Sequence, residues 1–152
     1  MTAALKVRDA QPADGPFLVA CAEAMAWETE SRKLNRERLQ RGVQGVFEQP
    51  SRGCYLLAER DGESLGTLMY TYEWSDWRAG DFFWIQSVFV RPEARRSGVY
   101  RALYRAVLER VRAAGAVGVR LYVEQDNLRA QQTYVALGMS PSEYRMYQQD
   151  GS

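Results

Sequence analysis

The 152-residue chain contains no histidine. Its absence removes the side chain that titrates nearest neutrality, and with it every Ser-His-Asp arrangement and most metal sites. Cysteine is almost as scarce. Cys21 and Cys54 are the only two, too few and too far apart for a disulfide scaffold or a zinc site, so both are expected to be reduced and buried. No apolar run approaches the roughly 20 residues that span a bilayer, and the N-terminus lacks a signal-peptide pattern. No membrane association is expected, and the cytoplasm is the expected compartment. Nor is there a surplus of one charge sign. The net charge of +1 speaks against a dedicated nucleic-acid binder, which is usually strongly basic.

The remaining composition is that of an ordinary globular protein, 46% hydrophobic and 26% charged, long enough to bury a core without covalent or metal support. No repeat, low-complexity tract or long linker divides it, so a single domain over residues 1–152 is expected. Hydrophobic patterning predicts a first strand at Leu5 to Arg8 and a helix from about Asp9–Asp14 to Trp27, with Phe17, Leu18, Cys21 and Met25 on one side. A second helix ends near Phe47. A strand over Gly53 to Arg60 turns at Asp61-Gly62, a hairpin signal, and returns over Ser64 to Tyr72. The loop 73–80 precedes a strand, a helix, a strand over 117–124, a helix stopped by Gly138, and a final strand at Tyr144 to Gln148. Hairpins require antiparallel neighbours, while strand–helix–strand across 82–124 requires a parallel pair. The fold class is therefore α/β, a mixed and mostly antiparallel sheet with helices on both faces.

The densest information lies in Phe82 to Arg112, FFWIQSVFVRPEARRSGVYRALYRAVLERVR. A hydrophobic strand runs into Arg-Pro, an arginine-rich turn closed by Gly98, and an amphipathic helix. The first amides of a helix lack internal acceptors and its dipole adds about half a positive charge there, so a phosphate finds both donors and field. Arg95, Arg96 and Arg101 surround that end. Residues 91–112 hold seven arginines against Glu93 and Glu109, which suits one phosphorylated ligand better than a long polyanion. The turn is not a Walker loop, since no Gly-Lys-Ser/Thr follows, and one glycine is too few for a dinucleotide fingerprint. Downstream, Asp126 or Asn127 fits a helix N-cap. Asn127, Ala130 or Gln131, and Tyr134 fall on one face of the helix that follows.

Arg95-Arg96-Ser97-Gly98-Val99-Tyr100, followed by Asn127, Ala130, Tyr134 and Gly138-Met139, resembles the two signatures of the GCN5-related N-acetyltransferase (GNAT) family, and the likeness covers nearly the whole chain. The resemblance implies acetyl-CoA as cosubstrate and direct acetyl transfer to an amine. It also implies a central parallel strand pair that splays apart, with the pantetheine arm in the gap. Carried over, the cofactor site comprises the strand backbone at Val88, Phe89 and Val90, the turn and helix start at Arg95, Arg96, Ser97, Gly98, Val99, Tyr100 and Arg101, and Asn127 and Ala130. Tyr100 stands where the family has Gly or Ala. It either turns into the core or covers part of the groove.

Tyr134 sits where the family places its general acid. With an ordinary pKa of about 10 it is protonated at neutral pH and able to donate to the departing thiolate; the alternative is an aromatic packing residue. For the base, Glu73 ends a strand near the cradle, and a water chain without a dedicated base is equally reasonable. Trp27, Glu28, Trp74, Asp76 and Trp77 are the candidate acceptor-binding residues. Carboxylates with indole faces suit a cation, with cation–π attraction of ~0.5–2 kcal/mol, and the tryptophans alternatively pin the loop down. The expected partner is a small-molecule amine, with no nucleic acid, no membrane, no metal and a homodimer as the default assembly. The rival readings are a non-catalytic acyl-CoA-binding sensor and, weakest, a nucleic-acid module built on the 91–112 arginines.

Overall fold

In the computed structural model the described residues are 4–151, and they divide into two compact units, Met1–Tyr122 and Val123–Ser152. The first holds a sheet of five strands in sequential order: β1 (Lys6–Asp9), β2 (Cys54–Arg60), β3 (Glu63–Ser75), β4 (Gly80–Val90) and β5 (Gly118–Leu121). Three antiparallel pairings are followed by one parallel pairing, β4 with β5. The mixed sheet expected from the hairpins and the crossover is thus present.

Alternation along β2 sends Tyr55 and Leu56 to opposite faces. On one face Tyr55 packs with Leu18, Val19, Val43 and Phe47, which belong to α1 (Gly15–Glu30) and α2 (Arg36–Glu48). On the other lies α3 (Val99–Ala114), whose Val99, Leu103, Tyr104, Val107 and Val111 are buried at helical spacing. A one-sided apolar stripe under an arginine-rich outer surface is what holds such a helix to a sheet. Helices therefore cover both faces. Asn35 caps α2 by accepting from the Arg38 amide at 2.9 Å, and Gly115 ends α3 in the left-handed region at φ 65°.

The second unit contains α4 (Leu128–Ala136). The strand expected at Tyr144 to Gln148 does not form: that segment has no regular structure, and Tyr144, Met146 and Tyr147 are exposed. Its alternation of apolar and polar residues finds no ladder among the described residues.

Candidate active site

β4 delivers the chain into a 3-10 turn at Pro92–Ala94. Arg96 at φ 64° and Gly98 at φ 87° then take left-handed conformations on either side of Ser97. Ser97 Oγ donates to the Ala94 carbonyl and holds the turn closed. The first backbone bond into α3 is Ala102 N–H to Gly98 O at 3.0 Å, so the amides before it open outward from the helix end. Curled amides, the positive helix terminus and the exposed side chains of Arg96 and Arg101 together make an anion cradle. The residues fit a pyrophosphate.

Gly66 lets the cradle sit where it does. A Cβ there would meet the Phe89 carbonyl oxygen of β4 at 2.8 Å and Val99 Cγ1 of α3 at 3.1 Å, so glycine is what lets β4 and the start of α3 both come this close to β3. The sequence offered no signal for this role, because the close approach exists only once helix and sheet are packed.

The β4 edge next to the cradle is also shaped for an extended ligand. Its ladder with β5 runs Phe82↔Gly118 to Ile85↔Leu121 and stops. The Arg91 amide donates to Leu65 O on the β3 side at 2.9 Å. By alternation, the N–H and C=O groups of Val88 and the N–H of Val90 point the other way, toward the side that β5 leaves uncovered, and the Val90 carbonyl on that side accepts from Arg95 Nε. Where the ladder stops, β4 carries a bulge: Ile85 faces Tyr70, Ser87 faces Met69, and Gln86 is the extra residue. This kink was invisible in a sequence with neither Gly nor Pro at that point.

Arg95 has a different position from the one expected of a phosphate ligand. Its guanidinium grips Glu28 with two hydrogen bonds, 2.6 and 2.8 Å. Its Nε donates to Val90 O at 3.0 Å, and it lies 5.6 Å from the Phe89 ring centre. Arg95 thus ties the end of α1 to the end of β4. The hydrogen bonds from Arg95 hold the Glu28 carboxyl below the usual carboxylate range, against a smaller opposing effect of partial burial. Arg91 is engaged with Glu63 at 3.1 Å and with Glu93. Tyr100 is half-buried at the second position of α3.

The candidate acceptor residues do not come together. Glu28, and with it Trp27, is anchored through Arg95 at the Val90 end of β4. Trp74 and Ser75 face Asp81 and Gly80 at the opposite end, and Asp76 and Trp77 lie in the turn beyond. Ten strand residues separate those ends, about 33 Å. A single cation site built from Trp27, Glu28, Trp74, Asp76 and Trp77 is therefore excluded. Trp74 and Trp77 are 65% and 88% exposed, so they do not pin the loop against the core either; Asp76 Oδ1 instead accepts from the Trp77 amide at 2.8 Å.

Another row of side chains stands on the sheet face opposite α3, beginning at the bulge. Gln86 donates to Thr71 Oγ1 at 2.8 Å, and Tyr122 donates to Gln86 Oε1 at 3.5 Å. The Trp84 and Tyr122 rings are 5.8 Å apart. Farther along, Arg120 lies 3.6 Å from the Phe82 ring centre and Arg78 lies 5.2 Å from it. Glu73, the candidate base, accepts from Arg120 at 2.7 Å. It faces Phe82 across the strand pair while Thr71 faces Trp84. Glu73 is therefore two strand residues, about 7 Å, farther from the bulge than Thr71.

In the second unit, Asn127 is the N-cap of α4, its side chain accepting from the Ala130 amide at 3.1 Å. Gly138 takes the left-handed conformation at φ 106°, as its place after the helix suggested. Tyr134 is half-buried on α4. Of the two thiols, Cys21 is buried and Cys54 half-buried. Burial pushes the Cys21 thiol up to about 12 and raises Cys54 as well, which leaves neither suited to act as a nucleophile near neutral pH. Among the described residues there is no cluster able to hold a metal ion, and no helix long and apolar enough to cross a membrane.

A parallel strand pair that parts at a bulge, beside an anion cradle at a helix start, defines an acyl-CoA-binding type of α/β fold. The chain belongs to the acetyltransferase (GNAT) family, whose model matches residues 17–139 and whose members use acetyl-CoA. A protein described as a possible acetyltransferase from Clostridium difficile 630 has the same fold, with a TM-score of 0.93 and 35% identity over 97% of this chain and 98% of that one. Mycothiol acetyltransferases from Corynebacterium aurimucosum and Streptomyces avermitilis are 32% and 30% identical over 80% and 86% of this chain. The chain spans only 41% and 40% of their lengths. An aminoglycoside N-acetyltransferase solved in complex with CoA shares the fold at 16% identity, with a TM-score of 0.80 over 97% of this chain and 95% of that one.

Proposed function

We propose that this protein is an acetyl-CoA-dependent N-acetyltransferase that acetylates a small-molecule amine directly, residues 1–152 serving as one catalytic domain. The observation that carries this reading is the juxtaposition of the Arg96–Gly98 cradle with the unladdered β4 edge at Val88 and Val90. The amides ahead of Ala102 receive the pyrophosphate, with Arg96 and Arg101 adding charge. The β4 backbone pairs with the pantetheine arm as an added strand would. Arg95 contributes by holding the turn against α1 rather than by touching phosphate.

In the reaction the amine nitrogen attacks the acetyl carbonyl carbon, the C–S bond breaks, and the amine proton is lost. Tyr134 gives its phenolic proton to the departing CoA thiolate, the role the family resemblance assigns to it. The amine proton leaves through water, and water returns a proton to the Tyr134 phenolate before the next turnover. Glu73, on the same sheet face as Thr71 and two strand residues beyond it, is the carboxylate that would receive the amine proton through that water.

The test is the melting temperature with and without acetyl-CoA, with ATP and NAD as controls, followed by CoA release over an amine panel that begins with the acceptor of the mycothiol acetyltransferases. A ligand at about 100 times its Kd stabilises the native state by ~2.7 kcal/mol, several degrees for a chain this size. A rise specific to acetyl-CoA is expected, with amine-dependent CoA release that falls in Tyr134→Phe. A rise without turnover on any amine leaves a sensor; no rise at all removes the reading.

A further inference from the structure

Arg120 touches three strands at once. It stands on β5 beside Trp84 of β4, and its guanidinium lies 3.6 Å from the centre of the Phe82 ring, also on β4. Beyond that ring it donates to Glu73 Oε1 on β3 at 2.7 Å. One side chain therefore crosses β4 between strands about 10 Å apart, close to where the β4–β5 ladder ends at Ile85 and Leu121. Arg78 lies 5.2 Å from the same ring and reaches Ser75 Oγ at 3.4 Å. The two guanidinia of Arg78 and Arg120 are matched by the two carboxylates of Glu73 and Asp76, so this end of the sheet does not sort ligands by net charge. What it supplies is order.

The Phe82 ring is 9% exposed and fixed by the core. A flat guanidinium stacked on a fixed ring keeps little freedom of its own. The Glu73 side chain is 45% exposed and, unheld, would sample several rotamers. Arg120 engages Oε1 alone; among the described residues Oε2 accepts no hydrogen bond and is left to water. Resting on the acetyltransferase reading, in which Glu73 receives the amine proton through water, we propose that Arg120 is a positioning residue for the reaction. It clamps Glu73 over the Phe82 ring so that Oε2 meets the water next to the amine. That water takes the amine proton as it gives one of its own to Oε2, and the carboxyl later returns its proton to solvent. Arg120 neither gains nor loses a proton.

The experiment uses the full chain loaded with acetyl-CoA and the fastest primary alkylamine of the acceptor panel. It follows acetyl transfer in a single turnover, so that product release does not mask the step. Circular dichroism and the acetyl-CoA melting rise establish that each variant is folded; an exposed ion pair adds little to stability, so neither should change. Glu73→Gln is expected to lower the transfer rate about a hundredfold at pH 7, the lower end of what positioned proton transfer contributes. Arg120→Met keeps the stem and loses the charge and the fork. It is expected to lower the rate about tenfold, with acetyl-CoA affinity unchanged. The double variant should fall no further than Glu73→Gln alone, because both side chains act on one step. Both deficits should shrink by about pH 9.5, where hydroxide and amine already deprotonated bypass the carboxylate, a lysine-like amine having a pKa of about 10.4. A parental rate in either single variant, losses that multiply in the double variant, or deficits constant with pH overturn the proposal while amine-dependent CoA release stands. Absence of that release in the unaltered protein removes the acetyltransferase reading itself, and this inference with it.

Discussion

Arg95 and Glu28, 67 positions apart in the chain, form a two-pronged ion pair with N–O distances of 2.6 and 2.8 Å. It is the fastening between the end of α1 and the turn that opens α3. Both side chains are roughly 40–50% exposed, 41% and 46%, so water screens the attraction and the pair adds only ~0.2–1 kcal/mol to stability. Its consequence is geometric. Glu28→Gln is expected to leave the melting temperature within ~3 °C of the parent. The released turn should weaken acetyl-CoA binding several-fold, measured by calorimetry. Unaltered acetyl-CoA affinity in that variant would show that the turn holds its shape without α1.

Gly66 is the position where the least added volume should do the most harm. A methyl group there meets the Phe89 backbone oxygen of β4 at 2.8 Å and Val99 Cγ1 of α3 at 3.1 Å, so the β3–β4 ladder must shift and the start of α3 with it. Gly66→Ala is expected to cost about 1–3 kcal/mol and to lower acetyl-CoA affinity beyond what the stability loss explains. Gly42, on the exposed side of α2 with nothing within 4 Å of its Cβ position and no left-handed backbone, gives a control for glycine replacement as such. Chemical denaturation alongside ligand titration separates the two effects. A Gly66→Ala protein with parental stability would mean that the strand and helix accommodate a methyl group freely.

The Arg8 and Asp14 pair sets an acid limit on stability. Asp14 accepts from Arg8 at 2.9 and 3.1 Å and from the Gln11 amide at 2.7 Å. The Arg8 hydrogen bond is the main reason that its carboxyl lies below the ordinary value. A carboxyl depressed on folding stabilises fully above its unfolded pKa of about 3.9 and loses that contribution as pH falls through the folded value. Asp14→Asn should therefore be less stable than the parent at pH 7 by about 1–2 kcal/mol. The gap should close as both proteins are taken below about pH 4. A gap constant from pH 7 to pH 2 would place the effect in packing rather than in charge.

The thiols supply a test of core order. With Cys21 raised to about 12 by burial and Cys54 also raised, neither should react with a disulfide reagent at pH 8 within minutes. Both should react at once in denaturant. Reaction of one equivalent in the native protein on the fast timescale would contradict the packing described for these positions.

Much of this protein could be read from its residues. Hairpin signals, the strand–helix–strand crossover and the caps at Asn127 and Gly138 rest on local rules: backbone conformations few residues adopt, and periodicities of two and 3.6. The cradle at Arg95 to Arg101 was legible for the same reason, since strand, glycine turn and helix start are contiguous in sequence. The final strand at Tyr144 to Gln148 misled because alternation describes a segment able to join a ladder, and whether a ladder forms is decided by tertiary packing.

What the tertiary structure alone decided is which distant side chains meet. Sequence proximity suggested that Trp27, Glu28, Trp74, Asp76 and Trp77 share a site, and β4 holds them at its two ends. The bulge at Gln86, the clearance at Gly66, the capture of Glu28 by Arg95, and the row from Tyr122 to Arg78 depend on register between strands and on helix-to-sheet distance. Those quantities are fixed by the packing of the whole core, so no local pattern encodes them. The sequence determined the elements and the turn that receives an anion, because those are local. The packing determined which residues surround it.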